Sequence, residues 1–337
     1  MPFVIDKSSS PFVTSEPGPS GLYDNVAVLV PCYNEEPTIE KVVRDFQTAL
    51  PGAPIYVFDN NSVDHTAEHA RRAGAIVVRS PRQGKGNVVR HMFDTVESAY
   101  YLMVDGDDTY PASAASELLE IARSSGADMV VGTRLEGHRG RSFRRFHNFG
   151  NRLISKLVAR VFGIQVRDVL SGYRVFSREF VRSVLLSSPG FEVETELTIQ
   201  AAARRLVITE HPIRYGERPP GSHSKLSTFG DGFLILRLIF LIFKDHRPFT
   251  FFAVLGLGAM LLGLLSGVPA VLDYARSRYV YHVPLAVLAA ALCIVGTVSL
   301  GIGVLLSAVR NYHIESLEMG RRLSRQLDAQ KVGRDLK

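Results

Sequence analysis

Three carboxylates crowd into Asp105-Gly106-Asp107-Asp108, directly after the apolar run Tyr100-Tyr101-Leu102-Met103-Val104 and ahead of Pro111, a residue favoured at helix starts. Acids this close repel one another unless a cation neutralises them, and hard oxygen ligands of this kind suit Mg2+ or Mn2+ shared with substrate phosphates. A loop whose Asp side chains satisfy turn amides has a similar composition, so the position of the acids on the fold must decide. Two more polar clusters follow apolar runs in the same way: Pro31-Cys32-Tyr33-Asn34-Glu35-Glu36 and Asp59-Asn60-Asn61-Ser62-Val63-Asp64-His65-Thr66. Helix capping and turn chemistry account for Asn61, Ser62 and Asp64 taken singly. Three gatherings of acids and amides, however, match the hydroxyls and ring edges of a nucleotide. Gln83-Gly84-Lys85-Gly86-Asn87 opens a helical pattern, with two glycines for close backbone approach and a point charge near a helix N-terminus, an arrangement suited to phosphate. The GxxxxGK[ST] spacing is absent, which disfavours ATP hydrolysis, and no HExxH, paired CxxC or GxSxG occurs.

A second source of anion-binding chemistry lies between residues 134 and 167, with nine Lys or Arg against one acid, Glu136. A solvated basic face on a helix over residues 147–162 explains part of this. Arg167, Ser171 and Arg174 close behind add planar forks and a neutral donor, which points to an anion site.

These residues need a scaffold that gathers them. Short apolar runs at 26–30, 55–59, 75–79, 100–105 and 128–132 alternate with helical-period stretches. That alternation predicts a parallel sheet with helices on both faces, whose ligands bind at the carboxyl ends of the strands. The three polar clusters sit at those ends.

The C-terminal third differs in kind. Residues 249–272 and 284–309 are uncharged for 24 and 26 residues, each long enough to cross a hydrocarbon core of about 30 Å. The loop between them carries Asp273, Arg276 and Arg278. The flank before them carries Arg237, Lys244 and Arg247, and the tail after Arg310 is rich in Lys and Arg. Positive residues favour the cytoplasmic side, so a hairpin with both chain ends in the cytoplasm is expected. Gly263 and Gly267 have GxxxG spacing. Residues 226–247, apolar but broken by Asp231 and Arg237, read as an amphipathic helix at headgroup level. Residues 1–24, rich in Ser, Pro and Gly and without an apolar run, read as a flexible arm rather than a targeting segment.

The composition of the 337 residues agrees. Hydrophobic residues make up 46% and charged ones 21%, which excludes wholesale disorder. A net charge of +6 favours an anionic partner, be it nucleic acid, membrane surface or phosphorylated substrate. Two cysteines, Cys32 and Cys293 inside an apolar run, make a disulfide scaffold implausible.

Five motifs in order carry a resemblance: Pro31 to Glu35 after the first strand, Asp59 to Thr66, Gly84-Lys85-Gly86, Asp105-Gly106-Asp107, and Arg167-Asp168-Val169-Leu170-Ser171-Gly172-Tyr173-Arg174. Together they resemble family 2 glycosyltransferases, and more narrowly the polyprenyl-phosphate glycosyltransferases, over residues 26–225 and, in the two-span tail, to about residue 309. The resemblance implies a GT-A-like, Rossmann-type, mostly parallel sheet with helices on both faces over residues 25–225. An amphipathic juxtamembrane helix (226–247), two membrane helices (248–310) and a basic cytoplasmic tail (311–337) would follow. The implied activity is transfer of a sugar from a UDP- or GDP-linked donor to a polyprenyl monophosphate, with inversion, at the plasma membrane of a bacterium. Pro31, Tyr33, Asn34, Glu35, Asp59, Asn61, Lys85, Asp105 and Gly106 would bind the donor nucleotide, Lys85 on the diphosphate side. Asp105 and Asp107 would hold Mg2+ or Mn2+, with Asp107, Arg167 and Ser171 catalytic. Arg152, Arg167, Ser171 and Lys225, the last within Ser224-Lys225-Leu226, would bind the acceptor phosphate. Asp168, Glu194 and Glu196 are expected to be partners of the arginines or helix-surface carboxylates rather than bases. Asn60 stands where many relatives have a second Asp, and Thr109 where a Gln is common; the first leaves UDP versus GDP open. Homo-oligomer formation is left open too. A processive polysaccharide synthase usually carries a Trp-containing element and more spans, whereas this chain has no Trp. A non-catalytic membrane-anchored nucleotide-sugar-binding module would bind donor without releasing nucleoside diphosphate. A nucleic-acid binder leaves the carboxylates and the hairpin without a purpose.

Overall fold

Seven uncharged residues, Val-Ala-Val-Leu-Val-Pro-Cys, form the central strand β1 (Val26–Cys32), buried on both faces except at Pro31. In this computed structural model the described residues are 23–134, 155–156, 158–160, 163, 166–216, 237, 240, 243–244 and 247–335. Arg152, Lys225, most of the basic stretch and most of the N-terminal arm and of the segment 226–247 lie outside them. The chain continues through α1 (Ile39–Ala49), β2 (Ile55–Asp59), α2 (Thr66–Arg72), β3 (Ile76–Arg79), α3 (Lys85–Thr95), β4 (Tyr100–Met103), α4 (Ala115–Ser125) and β5 (Met129–Thr133). Then come β6 (Arg174–Ser177), α5 (Arg178–Ser183), α6 (Val193–Ala203), β7 (Ile208–Pro212), α7 (Pro248–Ser277) and α8 (Val283–Asp335).

The strands make one mixed sheet in the order β3-β2-β1-β4-β6-β5-β7. Strands β1 to β4 pair in parallel, as do β5 and β7, whereas β6 is antiparallel to both of its neighbours, β4 and β5. The five strands expected from the apolar runs are present, and β6 and β7 are additions. Alternate residues of each strand point to opposite faces. Val26, Val28, Val30, Val57 and Leu102 join Ile39, Val43, Phe46 and Leu118 in one core layer. Ala27, Leu29, Phe58, Met103 and Phe176 join Val88, Met92, Phe180 and Leu197 in the other. In α1 the buried positions Ile39, Val42, Val43 and Phe46 follow the helical repeat.

Pro31 is tolerated in a central strand because of where pairing stops. The Leu29 carbonyl faces β4, accepting from the Val104 amide, and the Cys32 carbonyl faces β2, accepting from the Asn60 amide. Alternation turns Pro31 towards the β4 side, but β1–β4 pairing has already ended at Leu29 opposite Met103. The missing N–H therefore costs no ladder bond.

The described residues divide into two compact units, within Met1–Leu238 and within Ile239–Lys337. In the second, Pro248–Ser277 and Val283–Tyr312 are each 30 residues long with mean hydropathy of 2.2 and 2.5, long and apolar enough to cross a membrane. Leu257, Leu264, Val287 and Leu305 on these helices are 59–66% exposed, a surface that suits lipid better than water. The rings of Phe240 and Phe243 meet Phe251 near the start of α7 at centroid distances of 5.3 and 6.0 Å. At the hairpin turn, the Tyr281 and His282 amides and the His282 ring all reach Asp273 Oδ2 at 2.7–3.0 Å.

The two helices touch backbone to backbone. A Cβ on Gly256 would come 2.7 Å from the Gly296 carbonyl oxygen, and Gly263 packs against the Ala289 carbonyl and Cys293 Sγ, so the small residues serve the hairpin itself. Replacing Gly296 by Leu is expected to destabilise the hairpin by about 1–3 kcal/mol through overpacking. Gly301→Leu, with open space around it, should leave stability unchanged. Calorimetry of both variants in detergent checks the difference.

Candidate active site at the carboxyl edge of the sheet

The antiparallel strand β6 decides what meets what. Because it runs against β4 and β5, it enters the sheet at their carboxyl ends, with Arg174 opposite both Met103 and Val131. The loop before β6 holds the Arg167–Gly172 motif, and it is thereby delivered to the edge where Asp105 and Asp107 leave β4.

The two meet at Gly172. A Cβ there would fall inside contact distance of both Asp105 carboxylate oxygens, so only glycine leaves room for the acid. The Gly172 amide donates to Tyr110 Oη at 3.0 Å, fixing the loop to the segment after the acids. Burial pushes the Tyr110 phenol up, against the opposing charge of Arg134, so it stays a neutral hydroxyl at physiological pH. Asp107, 3% exposed, accepts from the Thr109 hydroxyl at 2.6 Å and the Thr109 amide at 3.3 Å. Thr109 is thus an orienting donor for Asp107. The Gly106 carbonyl accepts from Thr38 Oγ1 at 2.7 Å, and Asp108, at φ 57°, pairs with Lys41.

The loops expected to face a nucleotide interlock around the ends of β1 and β2. The Asn34 amide donates to Ser62 Oγ and the Val63 amide to Asn34 Oδ1, both at 2.9 Å. The Glu35 amide donates to Thr66 Oγ1, and Asp59 Oδ1 accepts from the Ser62 amide. Asn34 and Asn61 adopt left-handed backbone at φ 53° and 60°, which Asn tolerates. Tyr33 is exposed, Glu35 and Asp59 are buried, and Asn61 Nδ2 donates to the Pro81 carbonyl. Asn60 explains its own identity: Nδ2 donates to the Ser80 and Arg82 carbonyls while Oδ1 accepts from the Gly84 amide. An ionised Asp could not make those two donations.

Lys85 departs from the expected phosphate site. The Gly86 and Asn87 amides at the start of α3 donate to the Pro189 carbonyl at 3.0 and 3.3 Å, so these helix N-terminal donors are already used. Gly84 and Gly86 are glycines because a Cβ on either would overlap the carbonyls of Pro189 or Ser188. Lys85 itself, one-tenth exposed, places Nζ 2.5 Å from both Asp105 Oδ1 and Glu194 Oε1. Burial opposes its charge, but Asp105 and Glu194 outweigh this and hold the ammonium well above the usual lysine range.

The motif of residues 167–174 also divides differently from expectation. Arg167 is exposed, while its amide and that of Asp168 donate to Glu210 Oε1 of β7 at 2.8 and 3.1 Å. Ser171 and Arg174 are fully buried. Ser171 Oγ donates to the Gly132 carbonyl, and Arg174 donates to the Val169 and Ser171 carbonyls and to Thr198 Oγ1. Burial pushes the Arg174 guanidinium down to about 10, with partial compensation from Glu194 and Asp168, so it remains charged at neutral pH. These two residues set the loop's shape from inside instead of facing a ligand. Asp168, with no exposure, grips Arg134 through Nε at 2.9 Å and Nη2 at 2.8 Å, and Arg134 lies over the Tyr215 ring. Asp168 is therefore a partner of an arginine, as expected. Glu194 partners a lysine, and Glu196 accepts from the Ser187 and Ser188 amides.

Arg134, a quarter exposed at the end of β5, is the arginine that sequence reasoning counted within the basic stretch without singling out. Its position directly after a buried strand was the available signal. For a metal, the described residues offer no converging group of three His, Cys, Asp or Glu. Two hard carboxylates fit a cation that takes its remaining oxygens from substrate phosphates and water.

The glycosyl transferase family 2 profile matches residues 27–185. The chain is 34% identical over 296 residues to glycosyltransferase AglJ of Haloferax volcanii, covering 88% of this chain and 97% of that one. It is 30% identical to a dolichyl-phosphate hexose transferase of the same organism, covering 67% of this chain and 96% of the relative. The fold matches glucosyl-3-phosphoglycerate synthase of Mycobacterium tuberculosis, solved with Mn2+, UDP and glucosyl-3-phosphoglycerate. That match has TM-score 0.54 at 22% identity, over 70% of this chain and 86% of that one. The fold that carries this sheet edge is GT-A-like. The chain belongs to glycosyltransferase family 2, and its relatives include enzymes of dolichyl-phosphate glycosylation.

Gly172→Ala should displace the Asp105 carboxylate and lower kcat/KM for glycosyl transfer by about 100-fold. An unchanged melting temperature alongside that loss locates the effect in the site.

Proposed function

We propose that this chain moves a sugar from a nucleotide-sugar donor, UDP- or GDP-linked, to a polyprenyl monophosphate at the membrane, with inversion at the anomeric carbon. The observation that carries this reading is the contact of Asp105 with Gly172. It brings the acidic rim, suited to a donor diphosphate with its cation, against the loop bearing Arg167, on one sheet edge. Similarity to a dolichyl-phosphate hexose transferase and the two apolar helices support a lipid-phosphate acceptor. The distribution of Lys and Arg around the helices supports both chain ends on the cytoplasmic side.

A divalent cation, Mg2+ or Mn2+, held by Asp105 and Asp107 would neutralise charge growing on the leaving nucleoside diphosphate. Asn34, Glu35, Asp59 and Asn61, with Pro31 and Tyr33, line the nucleotide side, their backbone fixed by the interlocked loops. Gly106 and Lys85 set the carboxylates. Arg167 and Arg134, with Arg152 and Lys225 as further candidates, hold the acceptor phosphate in line with the anomeric carbon. Ser171 acts by shaping that loop through Gly132. A phosphomonoester with a second pKa of about 6 is largely a dianion at pH 7 and attacks without a strong general base.

Labelled UDP- and GDP-sugars incubated with undecaprenyl phosphate and detergent-solubilised protein should yield organic-phase product with one donor. EDTA should abolish transfer and excess Mn2+ or Mg2+ restore it, and Asp107→Ala should lose it nearly completely. Full activity in either test overturns the metal role. Arg167→Ala should raise KM for the lipid phosphate about tenfold or more, as loss of a charge-assisted hydrogen bond implies, with donor KM unchanged. Unchanged acceptor kinetics overturns the acceptor assignment.

A further inference from the structure

We infer that Glu194 is a positioning residue for the donor-side carboxylate: by sharing the Lys85 ammonium, it keeps Asp105 available to a divalent cation. The inference rests on the metal reading above and adds a residue that touches neither metal ligand directly.

Lys85 Nζ sits 2.5 Å from Asp105 and 2.5 Å from Glu194, with the Phe191 ring centroid 6.0 Å away. One ammonium thus serves two acids, and the triad carries one net negative charge. Were Asp105 the sole partner, the pair would be neutral, and a cation approaching Asp105 would meet an ammonium already committed to it at short range. Glu194 divides that attraction.

Glu194 is built into this place at a cost. It is 4% exposed, and its Oε2 is buried without a hydrogen-bond partner. An unsatisfied carboxylate oxygen of this kind destabilises a fold, and a Gln would do the work of filling the space with less penalty. The surrounding contacts also fix both ends of the Lys85–Glu194 pair. Glu196 on the same helix binds Ser187 and Ser188, and the Pro189 carbonyl of that loop caps the start of α3, which carries Lys85. The 187–192 strap therefore sets the Lys85–Glu194 distance independently of Asp105.

The test is Mn2+ binding to the full chain in detergent with UDP present, read from the free-Mn2+ electron paramagnetic resonance signal and so independent of turnover. Glu194→Gln, which keeps the shape and removes the charge, should weaken Mn2+ binding about tenfold or more, the usual effect of losing a group that orients a metal ligand. Adding Lys85→Met to Glu194→Gln removes the competing ammonium and should return Mn2+ affinity to within about threefold of wild type. A purely structural Glu194 would lower melting temperature without this rescue. Wild-type affinity in Glu194→Gln, or a double variant as weak as the single one, overturns the inference. If Glu194→Gln does not fold, Glu194→Asp, which retracts the charge, takes its place: weaker Mn2+ binding is expected, and equality with wild type overturns the inference. A wild-type chain that binds no Mn2+ with UDP present overturns the metal reading itself.

Discussion

The Asp105 carboxylate, lodged between the Lys85 ammonium and the bare Cα of Gly172, is the contact on which the site depends. It touches three parts of the chain that are distant in sequence: the start of α3, the end of β4 and the loop before β6. Each part is held by its own backbone device. The start of α3 is capped by the Pro189 carbonyl, the segment after β4 by Thr38 on the Gly106 carbonyl, and the loop before β6 by Arg174 from below. A carboxylate held by an ammonium and a glycine while still a quarter exposed keeps its position before any ligand arrives, which is the preorganisation that charge stabilisation in transfer chemistry requires.

The reversed strand is what makes that contact possible. In an all-parallel sheet, a segment entering a strand comes from the amino-terminal edge, opposite the ligand side. Placing β6 antiparallel between β4 and β5 brings its preceding loop to the ligand side instead. Arg134 at the end of β5 and Asp168 in that loop then close on each other as a two-bond pair. The geometry that joins the acidic rim to the Arg167 loop is a property of topology as much as of side chains.

Much of this was legible in residue types. The buried strands stood out because runs such as Ile-Tyr-Val-Phe carry no polar residue, and Asp105 and Asp107 stood out because acids seldom follow such a run without use. What escaped depended on neighbours far along the chain. Arg-Val-Phe-Ser is too short and mixed to announce β6, and Ile-Thr-Glu-His-Pro reads as polar because β7 lies at the sheet edge. Gly84 and Gly86 suggested a phosphate cradle, yet their reason is the backbone of residues 188–189, about a hundred residues away. Ser171 and Arg174 suggested a ligand surface, yet both point inward, since residue type alone does not carry burial. Glu192, Glu194 and Glu196 offered a missed clue: acids at every second position of a helix cannot all face solvent, and all three are buried.

Pairing of charge across the edge follows a pattern that keeps the acidic rim and the basic loop distinct. Asp168 is matched to Arg134, whereas Lys41 is shared between Asp108 and Asp45 and Lys85 between Asp105 and Glu194. Each shared cation leaves one acid in excess, so negative charge remains along Asp105, Asp107 and Asp108, and exposed Arg167 supplies positive charge on the adjoining loop. In a partly desolvated cleft such a separation acts more strongly than it would in water. On the proposed function, such a separation would send a diphosphate accompanied by a cation to the acids and a bare monophosphate to the guanidinium. Gly172, whose bare Cα admits the Asp105 carboxylate, sets how closely the acidic rim and the Arg167 loop approach each other.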